Sequence, residues 1–364
     1  MKYQGMSEHF THDQPAKTGV LITNLGTPDA PTTTALRRYL NEFLSDPRVI
    51  ELPRLLWWLI LHGIVLRTRP RKSAEGYRSV WSEEGSPLLV HTRNQCEGLK
   101  ERLRFRYGKD VEVVYAMRYG NPSIASALDD LQRRGVRQLL VLPMYPQYAA
   151  STTGSTFDAL AQDFQQRRWL PDLRFISHYH EFEPYIEALA RKIEHFWDEN
   201  GRPDKLILSY HGVPRRYLLN GDPYHCECHK TTRLLAARLG LPEGEYQTTF
   251  QSRFGREEWL KPYTDETMMS LPGEGVKSVH VVCPGFSSDC LETIEEIDEE
   301  NRGYFMEAGG EDFHYIPALN ADEGHIDMIT ALVEKHLQGW TLPVNDPGTL
   351  AAIRERAEAL GAER

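Results

Sequence analysis

Short, almost wholly apolar runs alternate with longer stretches in which apolar residues recur at helical spacing. The short runs fall at residues 20–25, 111–117, 138–144, 173–178, 206–210, 246–251, 279–282 and 314–317. Their length and Val/Ile/Leu content are those of strands buried on both faces. Helical periodicity marks 32–43, 88–107, 123–134, 155–168, 183–200, 231–239, 265–271, 291–302 and 321–337. In the first of these Leu36, Leu40 and Phe43 share one face. Strand–helix alternation at this spacing predicts parallel sheets covered by helices on both sides. The eight units divide into two four-stranded halves that join near residues 179–183. The expectation is an α/β protein of two doubly wound, Rossmann-like domains, 19–180 and 181–343. A polar, disordered segment at 1–18 precedes them. A C-terminal helix at 344–364 follows, with Leu350, Ile353 and Leu360 free to dock. In such a pair the active site lies in the cleft between the domains, beyond the C-terminal strand ends.

One run breaks the pattern. Residues 55–66, Leu-Leu-Trp-Trp-Leu-Ile-Leu-His-Gly-Ile-Val-Leu, are the most apolar of the chain. A membrane-spanning helix needs about 20 apolar residues, so this run is too short to span. Arg54 bounds it on one side, and Arg67, Arg69, Arg71 and Lys72 on the other. It reads either as a buried helix or as a lip over 55–72. A lip would rest on a membrane or a greasy ligand with its cations at the headgroups.

Composition narrows the function. The 364 residues are 40% hydrophobic and 26% charged, and 42 Lys plus Arg stand against 52 Asp plus Glu. The net charge of −10 argues against a nucleic-acid surface. Five cysteines in so long a chain form no disulfide framework and fit a reducing compartment. With a polar N-terminus lacking a signal-peptide core, they lead to an expected place in the cytoplasm. No Gly-rich phosphate loop is present.

Two stretches carry candidate chemistry. In 279–292 an apolar run is broken by Pro284-Gly285, after which Ser287, Ser288 or Asp289 can cap a helix. On that helix Glu292, Glu296 and Glu300 stand at i, i+4 and i+8, on one face. Like charges at this spacing weaken a helix, so the row is either a solvated acidic face or a cation path. In 205–214 a second strand ends at His211, beside Gly212. A histidine at a strand's C-terminal end is better placed for chemistry than one buried mid-strand. The surrounding strand ends offer apolar and aromatic surface with few polar groups, which suits a flat apolar ligand that reacts at one point.

These stretches resemble the ferrochelatases. The likeness is carried by Asn24-Leu25-Gly26-Thr27-Pro28, by Tyr145-Pro146-Gln147-Tyr148 with Ser151-Thr152-Thr153-Gly154, and by Ser209-Tyr210-His211-Gly212-Val213-Pro214. It continues through Gly221-Asp222-Pro223-Tyr224, Phe250-Gln251-Ser252-Arg253-Phe254-Gly255 and Phe286-Ser287-Ser288-Asp289-Cys290-Leu291-Glu292-Thr293. The resemblance implies insertion of ferrous iron into protoporphyrin IX, the last step of heme biosynthesis. By it His211 is the essential histidine facing the porphyrin centre, and Glu292 is the carboxylate opposite. Both would touch the metal, with Glu296 and Glu300 continuing the metal path. Leu25, Tyr77, Ser86 and Tyr145 would contact the porphyrin, and the lip would meet the inner face of the cell membrane peripherally.

Iron is then a substrate, and no obligatory cofactor is expected. Some family members carry an iron–sulfur cluster on C-terminal cysteines, but here no cysteine follows Cys290. Cys226 and Cys228, flanked by His225 and His229, lack a standard ligand spacing and read as structural or incidental. Two alternatives stay open: a chelatase for another metal or tetrapyrrole, such as cobalt or coproporphyrin, and a carrier that binds porphyrin or metal without reacting it.

Overall fold

The structure is a computed structural model that describes residues 3–5, 10–255, 257–340 and 345–363. The apolar runs form eight strands: β1 (Lys17–Thr27), β2 (Val111–Gly120), β3 (Val136–Pro143), β4 (Asp172–Phe175), β5 (Lys205–His211), β6 (Tyr246–Gln251), β7 (Ser278–Val282) and β8 (Asp312–Ile316). They make two four-stranded sheets, ordered β2-β1-β3-β4 and β6-β5-β7-β8. Every pairing is parallel. The two halves thus repeat one strand order without a shared sequence. Each central strand is sealed on both faces: Val20, Leu21 and Ile22 in β1, and Ile207 in β5, have no exposed surface. That burial is why these strands read as continuous apolar runs.

The halves are not independent globules. One cluster of buried side chains runs from Val20, Leu140 and Leu142 in the first sheet through Tyr179, Tyr185 and Ile193 to Leu206, Leu208 and Tyr210 in the second. Gln95, on the helix Pro87–Tyr107, places its Nε2 2.9 Å from the Ser287 carbonyl, the Ser288 hydroxyl and the Asn320 carbonyl.

Several expectations change in detail. β1 begins at Lys17, ahead of the expected boundary at 19. Gln4 exchanges backbone hydrogen bonds with Gln166 and Arg168, while Met1, Lys2 and 6–9 lie outside the described residues. The helix expected at 231–239 starts earlier and spans Tyr224–Leu239. The C-terminal helix is Pro347–Ala359; none of its residues is buried, and Leu360 beyond it is 89% exposed.

The apolar run is neither a simple buried helix nor an isolated lip. It forms the helix Arg54–Ile60, a π-helical turn Leu61–Val65 and the helix Leu66–Val80 in unbroken succession. Trp57 and Leu61 face inward, and Trp57 Nε1 donates to the Leu44 carbonyl at 2.6 Å. Leu55, Leu56, Trp58, Leu59 and Ile64 are exposed, each by half or more. Of the flanking cations, Arg54 donates to the Ser45 carbonyl and Arg69 lies over the Phe254 ring. Among the described residues no helix is long and apolar enough to cross a membrane.

Candidate active site

The chemistry sits where the central strand of the second sheet ends. β5 terminates at His211, which pairs in register with Gln251, the last residue of β6. His211 Nδ1 lies 2.7 Å from the Gly212 carbonyl. With its proton on Nδ1 the imidazole donates there, and its Nε2 lone pair is left free to accept. The ring is backed by Trp259, centroids 6.4 Å apart. Gly212 has to be glycine for a steric reason. A Cβ there would meet the Gln251 carbonyl at 2.8 Å and the Trp259 ring at 3.1 Å.

The carboxylate row stands on an unusual helix. Residues Glu292–Asn301 form a π-helix, where an α-helix was expected. Such wide turns are rare, and they are frequently found at functional sites. The expected caps at Ser287, Ser288 and Asp289 do not form. Asp289 instead accepts from Tyr315 Oη at 2.6 Å, from Asn320 Nδ2 at 2.7 Å and from Thr293 Oγ1 at 3.1 Å, while Thr293 Oγ1 accepts the Cys290 N–H at 3.0 Å. Exposure falls inward along the row: Glu300 is exposed, Glu296 and Glu292 half-buried.

Glu296 is held closely. It accepts the Ser252 N–H at 2.6 Å and also the Ser252 hydroxyl. Burial pushes its carboxyl above the ordinary value, a shift to which the Glu292 charge adds and which Ser252 and His211 oppose. Glu295 is shifted the same way by burial and by Glu300, Glu299 and Glu292. Its oxygens lie where a Cβ on Gly76 would be, at 2.8 Å, so bare backbone on the neighbouring helix makes room for that carboxylate. Gln251 joins the two sides. Its Nε2 donates to the Glu292 carbonyl at 2.9 Å, and its Oε1 accepts from Ser209 Oγ at 2.8 Å.

A hollow of about 270 Å³ faces Glu292, and its walls include Leu25, Tyr39, Tyr77, Ser86 and Cys290. Four of the residues singled out in the sequence, Leu25, Tyr77, Ser86 and Glu292, therefore share one cavity. Tyr77 is pushed far above the ordinary tyrosine range, first by burial and then by the Glu292 charge. Ser86 also has a structural task, since its hydroxyl accepts the Leu89 N–H and caps the helix Pro87–Tyr107. Tyr145 is half-buried, its hydroxyl has no hydrogen-bond partner in the described structure, and burial raises its pKa. His211 and Glu296 do not wall this hollow; His211 is linked to Glu292 through Gln251, which pairs with His211 in register and donates to the Glu292 carbonyl.

Sequence reasoning missed the supports. Ser252 adopts a left-handed conformation, φ 65°, that an L-residue rarely takes, and there it offers both its N–H and its hydroxyl to Glu296. Asp46 gathers Tyr119, Ser155, Arg118 and the Arg48 N–H beneath the first half's strand ends. No local pattern marks either residue. Cys226 is exposed and Cys228 buried on one helix, so the two thiols do not face a common point.

Two four-stranded parallel sheets of one strand order, with a histidine ending a central strand of the second, make an α/β protein of the chelatase fold. Two solved structures share that fold. One is the sirohydrochlorin chelatase of Bacillus subtilis subspecies spizizenii in complex with cobalt, at TM-score 0.51 and 10% identity, over 90% of this chain and 99% of that one. The other is a multi-domain Deinococcus radiodurans protein described as structurally similar to chelatases. It matches at TM-score 0.52 and 12% identity, over 94% of this chain and 61% of that one. The ferrochelatase family model matches residues 17–337. The ferrochelatase of Marinobacter nauticus is 67% identical over 98% of this chain and 96% of its own length, and that of Idiomarina loihiensis 65% identical over 94% of each. The chain belongs to the ferrochelatase family.

Proposed function

We propose that this protein is a lyase that inserts ferrous iron into protoporphyrin IX, giving protoheme and two protons. The observation that carries the reading is the shared cavity of Leu25, Tyr77, Ser86 and Glu292, with His211 tied to Glu292 through its strand neighbour Gln251. The apolar wall, with Leu25, Tyr77 and Tyr145, holds the ring flat-on and can bend it with its own binding energy.

The two pyrrole protons must leave as the divalent ion enters, and a neutral imidazole is a suitable acceptor near pH 7. His211 takes them at Nε2 one at a time, passing the first to solvent before it accepts the second. Carboxylates suit a hard, hydrated cation in transit. Glu300, Glu296 and Glu292 pass it inward, and Glu292 presents it to the ring face opposite His211. Iron is consumed as substrate, and the chemistry calls for no further cofactor. The exposed apolar face of 55–66 rests against the headgroup region of a membrane, where a hydrophobic porphyrin partitions.

The test is anaerobic incubation of the protein with protoporphyrin IX and ferrous iron, followed by absorbance. The metalloporphyrin spectrum should replace that of the free base. Binding without metallation by any divalent ion would leave a carrier, and metallation of coproporphyrin alone would reassign the substrate.

A further inference from the structure

A second constellation of metal-ligating side chains lies apart from the cavity, where the chain passes from the first half to the second. His178 and His180 follow β4, and Glu227 stands on the helix Tyr224–Leu239. His178 Nδ1 is 2.7 Å from one Glu227 oxygen and His180 Nδ1 3.3 Å from the other. One ligand atom from each of the three residues lies within 4.8 Å of the others. His180 is 96% buried, since only 4% of it is exposed, yet its Nδ1 has no hydrogen-bond partner. Buried polar atoms are rarely left so, and a water or an ion between His180 and Glu227 would satisfy this one.

The surroundings are those of a built site. Glu227 is itself buried, and the Tyr148 N–H donates to it at 2.7 Å, which fixes the carboxylate's orientation. Such outer contacts are how proteins hold metal ligands in place. The two imidazole rings meet edge to face with centroids 5.1 Å apart. The His178 side chain is 48% exposed, so one side is open for entry and for water. A similar trio, His280, Asp312 and His314, lacks this character. There Trp197 Nε1 donates to His280 Nδ1, which puts the ring proton on Nε2 and leaves no lone pair for a metal.

We propose that His178, His180 and Glu227 bind a borderline divalent cation of the zinc or ferrous-iron kind, with water completing its shell. Two neutral imidazoles and one carboxylate suit such ions and leave open positions. The site joins the loop after β3 to a helix of the second half, contacts that the Ala150 N–H extends to Asp222 at 2.8 Å. A bound ion would therefore staple the two halves together.

The experiment uses full-length, metal-stripped His211→Ala protein without porphyrin, so that binding at the reaction centre is weakened. Cobalt(II) is titrated in, and its visible absorption and the bound equivalents are read. One equivalent should bind, and Zn²⁺ should raise Tm. Adding His178→Ala, His180→Ala or Glu227→Gln should each weaken cobalt binding by at least about tenfold, the lower end of what even outer-contact losses produce. His178→Ala, at a half-exposed position, should keep the metal-free Tm, which separates ligand loss from misfolding. No cobalt binding in the His211→Ala protein would overturn the proposal. So would an affinity that none of the three added substitutions changes, which places the ion elsewhere.

Discussion

At the scale of single residues, the proposed role of His211 is to accept a proton at Nε2, whereas Glu296 holds one. His211→Ala should lower turnover by about 10²–10⁴-fold, the usual contribution of a general base, while the porphyrin KM moves little. The acid limb of the pH–rate profile, where the imidazole protonates, should vanish in that variant. An unchanged limb would place the base elsewhere, with Glu292 the first candidate. Glu292→Gln should also lower turnover, and the double variant should be less impaired than the product of the single losses, because both act on one event. Glu296 has its carboxyl raised above 4.5 by burial and by Glu292. The fold therefore binds that proton more tightly than the unfolded chain does. Stability from this group is full below the unfolded value of 4.5 and is lost as pH rises through the higher folded value. Glu296→Gln should accordingly be more stable than the parent at pH 7, with the difference closing as pH falls below 4.5. Melting curves across that range check the sign, and a difference that widens on acidification would refute it.

At the scale of elements, the apolar run divides its two tryptophans between different tasks. Trp57 is 7% exposed with its indole N–H bonded to Leu44, whereas Trp58 is 55% exposed. Trp58→Ser should reduce binding to liposomes and leave Tm almost unchanged. Trp57→Ser should cost about 3–5 kcal/mol of stability, as buried aromatic truncations do. Vesicle sedimentation together with thermal unfolding separates the two. Equal loss of vesicle binding in both variants without loss of Tm in Trp57→Ser would contradict the division. The acidic helix is likewise an element with a cost. Its carboxylates repel one another, and it is kept in place from outside by Ser252 and Gln251 and from within by Asn301, whose amide donates to the Glu296 carbonyl at 2.7 Å.

At the scale of the whole molecule, two sheets share one buried cluster, and the helix Pro87–Tyr107 reaches across through Gln95. Arg102 and Arg106 on the same helix pair with Asp327 and Glu334 of the second half. Two domains that share a core should melt together. Calorimetry is expected to show a single cooperative transition, whereas two resolved transitions would mean that the halves are stable separately. Gln95→Ala leaves buried acceptors unpaired and should cost about 1–3 kcal/mol, again within one transition.

The order of strands and helices was legible in the sequence because both-face burial and helical periodicity are local signals, readable a few residues at a time. His211 and Glu292 were singled out for the same reason: His211 ends a strand run, Glu292 follows a strand run and a turn, and strand ends are where α/β proteins bind. Three kinds of fact were decided only by tertiary structure. The 292–301 segment is a π-helix whose supports, Ser252 and Gln251, lie some forty residues away. The apolar run was ambiguous because periodicity tells which residues share a face but not what covers that face; the core under Trp57 settles it. The meeting of His178, His180 and Glu227, like the walls around Glu292, joins positions scattered through the chain. Such sites are made by packing, and no window of sequence contains them.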